Sequence, residues 1–218
     1  MIKACIFDCD GTLLDTLVSI AYSANRALKD YDLKEIALEE YKYLVGDGAY
    51  ELIRRCLKRN GEDKLQLFEP VFTRYMEYFK KDCMYQVKPY EGIVELLTSL
   101  RAAGIKTAVL SNKPDVQTQK VIKECFAEDT FDKILGFIDG IPKKPAPDGA
   151  LTIAKALDVL PEECLYIGDT DTDMQTGSRV GMITVGVLWG FREKEELKVN
   201  GAKYLAAEPR EILEYLKN

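Results

Sequence analysis

The sequence of 218 residues contains no histidine. Without an imidazole, a Ser-His-Asp triad, a Cys-His dyad and a histidine-ligated metal site are all excluded. Any catalysis must therefore rest on carboxylates, lysines, hydroxyl groups and a metal ion that prefers oxygen ligands. The length suits one domain with an insertion or two small domains.

The sequence also lacks the run of about 18 apolar residues that a membrane-spanning helix requires. Its N-terminus leads directly into a strand-like pattern, without a charged and then apolar leader, so we expect a cytoplasmic protein. The 36 acidic residues outnumber the 30 basic ones, which gives a net charge of −6. This acidic balance argues against nucleic acid or an anionic membrane as a partner.

Six cysteines are present, and none of them forms a Cys-x-x-Cys pair. With no histidine to complete a set of ligands, a zinc site is not expected. We expect reduced thiols rather than a disulfide framework. Cys5, Cys125 and Cys164 lie in apolar stretches, where a thiol packs as a small core residue.

The most informative segment lies near the start of the chain. A predicted strand over residues 3–8 ends in two carboxylates, Asp8 and Asp10, and the chain then turns at Gly11. Ligands bind at the carboxyl ends of strands in α/β sheets, so both acids are expected to face a site. Two such charges about 4 Å apart repel by about 4 kcal/mol at an effective dielectric constant near 20. A cation, a shared proton or a reaction must offset this repulsion.

Strand-like and helix-like patterns alternate after residue 92, which predicts βαβ units and a parallel sheet covered on both faces. The interval after the first strand has helical periodicity only, from about Thr16, with Asp15 as the expected N-cap. We therefore predict an α/β core formed by residues 1–15 and 84–218, and an inserted helical unit over residues 16–83. The remaining predicted strands are 105–110, 134–138, 164–167 and 182–187, and the remaining predicted helices are 49–59, 65–81, 92–103, 115–126, 148–158, 171–180 and 209–217.

Three further polar groups adjoin the predicted strands. They are Ser111-Asn112, Lys143-Lys144-Pro145, and the acidic segment from Gly168 to Asp173. Taken singly, each is explained by a turn, a helix N-cap, an exposed loop or a solvated acidic loop. Together, at one edge of a sheet, they supply the hydroxyl group, the lysine and the oxygen ligands that phosphoryl transfer to a carboxylate requires.

The order and spacing of these groups resemble those of the haloacid dehalogenase-like hydrolases, most of which are magnesium-dependent phosphatases. The resemblance covers nearly the whole chain and rests on the motifs D-x-D-G-T-L, S-N-K, K-P-x-P-D and G-D-x-x-x-D. It implies an α/β fold with a Rossmann-like parallel sheet core and an inserted all-helical cap. It also implies Mg²⁺ as the cofactor and a small phosphorylated metabolite as the substrate. Both a monomer and a homodimer remain open.

The resemblance implies a role for each matching residue. Asp8 is the expected nucleophile that becomes an aspartyl phosphate, and Asp10 is the expected general acid and base. The expected substrate contacts are Gly11, Ser111, Asn112 and Lys144. The expected metal ligands are Asp8, Asp10 through its carbonyl group, Asp169 and Asp173. Because the family usually has glycine before the motif lysine, Lys143 is a second candidate for the lysine's role.

The choice of branch depends on the segment 44–49, which resembles the cap loop of phosphoglycolate phosphatases and makes phosphoglycolate the best single substrate candidate. Those enzymes tend to have asparagine where this chain has Asp47, and an inter-helix turn with Asp47 as an N-cap explains the segment equally well. Arg54 and Arg55 are candidates for a substrate carboxylate, although a solvated helix face is favoured. The alternatives are a β-phosphoglucomutase-like phosphomutase, whose branch usually has a histidine in the first cap helix, and a non-catalytic receiver-like phospho-acceptor domain.

Overall fold

Six parallel strands form the central sheet of the protein. The structure is a computed structural model that describes residues 1–62 and 65–217. The strands in chain order are β1 (Ala4–Phe7), β2 (Leu14–Asp15), β3 (Lys88–Pro89), β4 (Lys106–Pro114), β5 (Lys133–Phe137), β6 (Cys164–Gly168), β7 (Ile183–Val187) and β8 (Tyr204–Ala206). The sheet has the order β5-β4-β1-β6-β7-β8, and β2 and β3 form a separate antiparallel pair. The predicted α/β class with a Rossmann-like parallel sheet is confirmed.

Helices cover the sheet on both faces and also fill the interval between β2 and β3. They are α1 (Leu17–Lys29), α2 (Leu38–Leu44), α3 (Ala49–Arg59), α4 (Phe68–Asp82), α5 (Ile93–Ala102), α6 (Asp115–Cys125), α7 (Asp148–Ala156), α8 (Asp171–Arg179) and α9 (Lys194–Val199). Short 3₁₀ helices span Pro161–Glu163 and Pro209–Lys217. Within the described residues, no helix is both long and apolar enough to cross a membrane.

Strand β1 lies in the middle of the sheet, and its four residues are buried without exception. Successive side chains of a strand point to opposite faces of the sheet. Cys5 and Phe7 accordingly pack in one apolar cluster with α5 and α6, while Ala4 and Ile6 pack in a second cluster with α7. Because both faces of this central strand are buried, its sequence is a continuous apolar run. This run made β1 predictable from the sequence.

The four helices α1 to α4 agree with the predicted helical insertion, and α3 has the predicted boundaries. Helix α4 begins three residues later than predicted, because Leu65 has a φ of 52°, which is outside the helical region. Asp15 is not the N-cap of α1: the cap is Thr16, and Asp15 pairs with Lys88 in the β2–β3 ladder. The assignment of 16–83 to a cap domain and of 1–15 and 84–218 to a core domain stays a prediction.

Several segments of the core differ from the prediction. Strand β4 was predicted to end at Leu110 but continues through Pro114. A register shift against β5 between these two residues keeps the polar residues Ser111 to Lys113 within the strand. The segment 209–217 is a 3₁₀ helix rather than an α-helix. Strand β8 was missed because its three residues are too few to show a period.

The burial of β1 predicts that an Ile→Ala substitution destabilises the protein far more at Ile6 than at the exposed Ile138. Ile6→Ala should lower the free energy of unfolding by about 2–5 kcal/mol, because Ile6 is fully buried and its truncation leaves a cavity. Ile138→Ala should cost much less, because that side chain is 40% exposed. Denaturant unfolding of both variants checks this, and equal losses would contradict the packing described for β1.

Candidate active site

Three buried carboxylates meet at the carboxyl edge of the sheet. Asp8 directly follows β1, Asp169 directly follows β6, and Asp173 lies in the first turn of α8. One oxygen atom of each carboxylate lies within 4.8 Å of the corresponding atoms of the other two. All three side chains are buried. They meet because the carboxyl ends of parallel strands lie at the same edge of the sheet.

Lys144 is the cation in contact with this cluster. Its ammonium group lies 2.8 Å from Asp8 Oδ1 and 2.7 Å from Asp173 Oδ1. The side chain of Lys143 points elsewhere, with its ammonium nitrogen 4.4 Å from the centroid of the Phe137 ring. Of the two lysines that the sequence left open, Lys144 therefore has the position beside the predicted nucleophile.

The charges in the cluster are not balanced by Lys144 alone. Burial, followed by the charge of Asp173, raises the pKa of Asp8 to about 7 against the opposing effect of Lys144. Burial and the same neighbouring acid also raise the pKa of Asp169 well above its usual value. Burial disfavours the charged ammonium of Lys144, but Asp173 and Asp8 outweigh it and raise the pKa of Lys144. Buried carboxylate oxygens with too little positive charge are a fitting set of ligands for a hard divalent cation such as Mg²⁺.

The Asp169 carboxylate is held by a close shell of neighbours. The Thr12 hydroxyl donates a hydrogen bond of 2.9 Å to Asp169 Oδ1, and the Phe191 N–H donates one of 2.8 Å to Asp169 Oδ2. Gly11 and Gly190 leave the space that this carboxylate occupies, since a Cβ on either would lie 2.3 or 2.2 Å from an atom of Asp169. Gly11, with a φ of 81°, donates its N–H to Leu14 O, and its predicted substrate contact stays a prediction.

Asp10 has a separate cation, Lys113, which the sequence analysis did not assign. The Lys113 ammonium lies 2.7 and 3.0 Å from the two carboxylate oxygens of Asp10. Its side chain is almost completely buried and lies over the ring of Phe79, 4.8 Å from the centroid. The available signal was the third letter of the S-N-K motif. The Asp10 carboxylate is outside the cluster of three, and the metal contact implied for its carbonyl group stays a prediction.

A cavity of about 40 Å³ lies directly above Asp8 and Asp10. Ser111, whose hydroxyl oxygen accepts a hydrogen bond of 3.2 Å from the Lys113 N–H, lines its core side. The opposite side is apolar and is formed by residues of the helical unit, namely Ile20, Val45, Ala49, Leu52, Tyr75 and Phe79. The two acids therefore face a largely apolar wall across the cavity.

Asn112 links the site to the connection 45–48 between α2 and α3, which we call the cap loop. Its side-chain amide accepts from the Lys144 N–H at 2.9 Å and donates to Lys144 O at 3.0 Å. The same Nδ2 also donates to Gly46 O at 3.1 Å. Asn112 thus fixes the main chain that carries Lys144, and its predicted contact with substrate stays a prediction.

Arg192 is a second link between the core and the cap loop. Its buried guanidinium group donates to Val45 O at 2.9 Å and to Lys42 O. The Glu196 carboxylate lies 3.0 Å from the Nε of Arg192 and forms an ion pair with it. Nothing in the local sequence around residue 192 indicates this contact, because its partners lie about 150 positions away.

The side chains that the sequence offered for a substrate carboxylate are bonded within the helical unit. Arg55 binds Asp47 and donates to Leu44 O at 2.9 Å, and Arg54 binds Glu51. Asp47 also accepts a hydrogen bond of 3.1 Å from the Thr172 hydroxyl of the core. Asp47 is not the N-cap of α3, a position that Gly48 occupies.

The contacts of Arg192 predict that it protects the cap loop from opening. Arg192→Ala removes one hydrogen bond to Val45 in the cap loop and one to Lys42 in the last turn of α2, so amides of residues 42–48 should exchange with deuterium about tenfold faster or more. Hydrogen exchange measured by mass spectrometry checks this, with Arg101→Ala as the control, since Arg101 pairs with Asp129 instead. Unchanged exchange in Arg192→Ala would contradict the assigned contact.

The sequence was compared with known protein families and with individual proteins. The haloacid dehalogenase-like hydrolase family matches residues 5–187. The phosphoglycolate phosphatase of Aquifex aeolicus is 32% identical over 189 residues, which cover 87% of this chain and 86% of that protein. The N-acetylmuramic acid 6-phosphate phosphatase of Pseudomonas aeruginosa is 27% identical over 217 residues, which cover 99% of this chain and 95% of that protein.

Solved structures give the same result for the fold. A Lactobacillus delbrueckii subsp. bulgaricus structure, provisionally described as a phosphoglycolate phosphatase, has a TM-score of 0.88 and 32% identity, with 98% of each chain covered. A haloacid dehalogenase-like family protein of Streptococcus pneumoniae has a TM-score of 0.88 at 24% identity, also with 98% of each chain covered, and supports the fold alone. The matched region runs from before Asp8 to beyond Asp173. The chain belongs to the haloacid dehalogenase-like hydrolase family.

Proposed function

We propose that this hydrolase, a phosphatase of the haloacid dehalogenase-like family, releases phosphate from a small phosphorylated metabolite through an aspartyl phosphate on Asp8. The observation that supports this most is the surroundings of Asp8. Its carboxylate lies at the end of a buried strand, 2.8 Å from the Lys144 ammonium and below a cavity lined by Ser111 and Asp10. The proposed nucleophile Asp8 and the proposed proton donor Asp10 thus border one small space, and Lys144 contacts the nucleophile.

The described residues also fit the cofactor that the family implies. Asp8, Asp169 and Asp173 gather hard oxygen donors within a buried cluster, and we propose that they hold Mg²⁺ together with the Asp10 carbonyl group. When bound, Mg²⁺ supplies positive charge that offsets the charge of the phosphate and of the nucleophile. Lys144 supplies further positive charge at the same point.

The residues divide the chemistry between them in the proposed mechanism. The Asp8 carboxylate attacks phosphorus as the bond to the leaving oxygen breaks, and Asp10 gives that oxygen a proton. A water molecule then attacks the aspartyl phosphate while Asp10 takes a proton from it, which releases phosphate and restores Asp8. Asp8 must be ionised to attack, and the contact with Lys144 favours that form. Lys113 orients the Asp10 carboxyl group throughout.

Phosphoglycolate is the substrate we propose first. The names of several relatives support it, including those of Aquifex aeolicus and Colwellia psychrerythraea. The small cavity above Asp8 agrees with a short leaving group. A phosphomutase of the β-phosphoglucomutase type is less well supported because the chain has no histidine. A receiver-like phospho-acceptor domain would explain neither Asp10 nor the helices that cover the site.

Phosphate release from phosphoglycolate and from a panel of other phosphate esters tests the proposal. We expect activity with Mg²⁺, none with a chelator, and a loss on the order of 10⁴-fold or more in Asp8→Asn, which removes the nucleophile. The matched control is Asp171→Asn, because Asp171 begins α8 outside the cluster and should retain activity. Full activity of Asp8→Asn would remove the proposed mechanism.

A further inference from the structure

The ammonium group of Lys143 lies half-buried without an acidic partner among the described residues. Within the described part of the chain its ammonium group forms no ion pair and no hydrogen bond, and its one close partner is the ring of Phe137. The side chain is half-buried, and this burial lowers the pKa of Lys143, while Glu51 and Asp47 act on it only as more distant opposing charges. A partly desolvated ammonium group with no partner is a favourable place for an anion to bind.

The ammonium group borders a wide groove between the helical unit and the core. The groove has a volume of about 550 Å³. Its lining includes Lys143 and the apolar or aromatic side chains of Tyr50, Phe72, Met76, Val116 and Phe137, together with the two acids Asp115 and Asp139. Three residues, Ala49, Asn112 and Pro114, line this groove and also the cavity above Asp8, so the two spaces adjoin.

Gly48 brings Lys143 to the border of the catalytic cavity. Gly48 lines the cavity above Asp8, and a Cβ at this position would lie 3.3 Å from the Lys143 ammonium nitrogen. Because glycine has no side chain, nothing from this residue separates the ammonium group from the cavity. A ligand group that extends from a phosphate on Asp8 towards Gly48 therefore approaches a free positive charge.

The other cations near the cavity are already paired. Lys144 contacts Asp8 and Asp173, and Lys113 contacts Asp10. In α3, Arg54 is paired with Glu51, and Arg55 is paired with Asp47. Among the described residues at the junction of cavity and groove, Lys143 is thus the cation that remains free for a substrate.

We propose that Lys143 is a specificity-determining residue that binds a carboxylate carried by the leaving group of the substrate. The inference rests on the proposed phosphatase function and defines its substrate class as phosphate monoesters with a second anionic group. Lys144 then serves the phosphate, and its neighbour Lys143 serves the other end of the same molecule. Phosphoglycolate belongs to this class, because its leaving group is a short carboxylate.

The test compares phosphoglycolate with 2-hydroxyethyl phosphate, an ester of similar size whose leaving group is uncharged. The measured quantity is the ratio of kcat/KM for phosphoglycolate to kcat/KM for the neutral ester. Lys143→Met keeps an unbranched side chain that is one heavy atom shorter and removes the charge, so the ratio should fall about tenfold or more. Lys143→Arg should restore most of the ratio, because it keeps the charge.

The controls separate this inference from the proposed function. Lys155→Met alters an exposed lysine of α7 and should leave the ratio unchanged. Hydrolysis of neither ester by the wild type would count against the phosphatase proposal. Hydrolysis with a ratio that changes less than twofold in Lys143→Met would overturn the role of Lys143 alone. Calorimetric binding of phosphoglycolate to Asp8→Asn, with and without Lys143→Met, should show the same tenfold weakening without any turnover.

Discussion

The structure depends on one electrostatic constraint, the gathering of buried carboxylates around too few cations. Among the described residues, this group comprises four acids, Asp8, Asp10, Asp169 and Asp173, and two cations, Lys113 and Lys144, so the acids outnumber the cations by two. Such an excess is expensive in a buried environment, and it appears directly in the raised pKa values of Asp8 and Asp169. The excess of carboxylates over cations favours binding of a divalent cation, which would in turn favour binding of an anionic substrate.

The fold creates the imbalance by topology and stabilises it by local contacts. Parallel strands β1 and β6 are neighbours, so the acids at their carboxyl ends must meet. Glycines at 11 and 190 admit the Asp169 carboxylate, and Asn112 fixes the main chain of Lys144. The same Asn112 also binds the cap loop, so the position of the loop and the position of the lysine are coupled through one side chain.

Much of this site could be predicted from the sequence, because its acids directly follow apolar strands whose burial the sequence itself indicates. Helix α3 was equally predictable, since its apolar stripe is regular over its whole length. The contacts of Arg192 and Asn112 were not predictable, because they join residues that are distant in the chain and have no periodic pattern. Lys113 was missed for the same reason: its partner Asp10 is 103 positions away.

Direct titration of the protein with Mg²⁺ tests the central claim that the carboxylate cluster is a cation site. Calorimetry should show binding of Mg²⁺ that tightens from pH 6 to pH 8, because a pKa of about 7 means that Asp8 must lose its proton before it can bind the metal. Asp169→Asn should weaken binding strongly, because it removes one of the three clustered carboxylates. Absence of binding by the wild type, or equal binding by Asp169→Asn, would contradict the account.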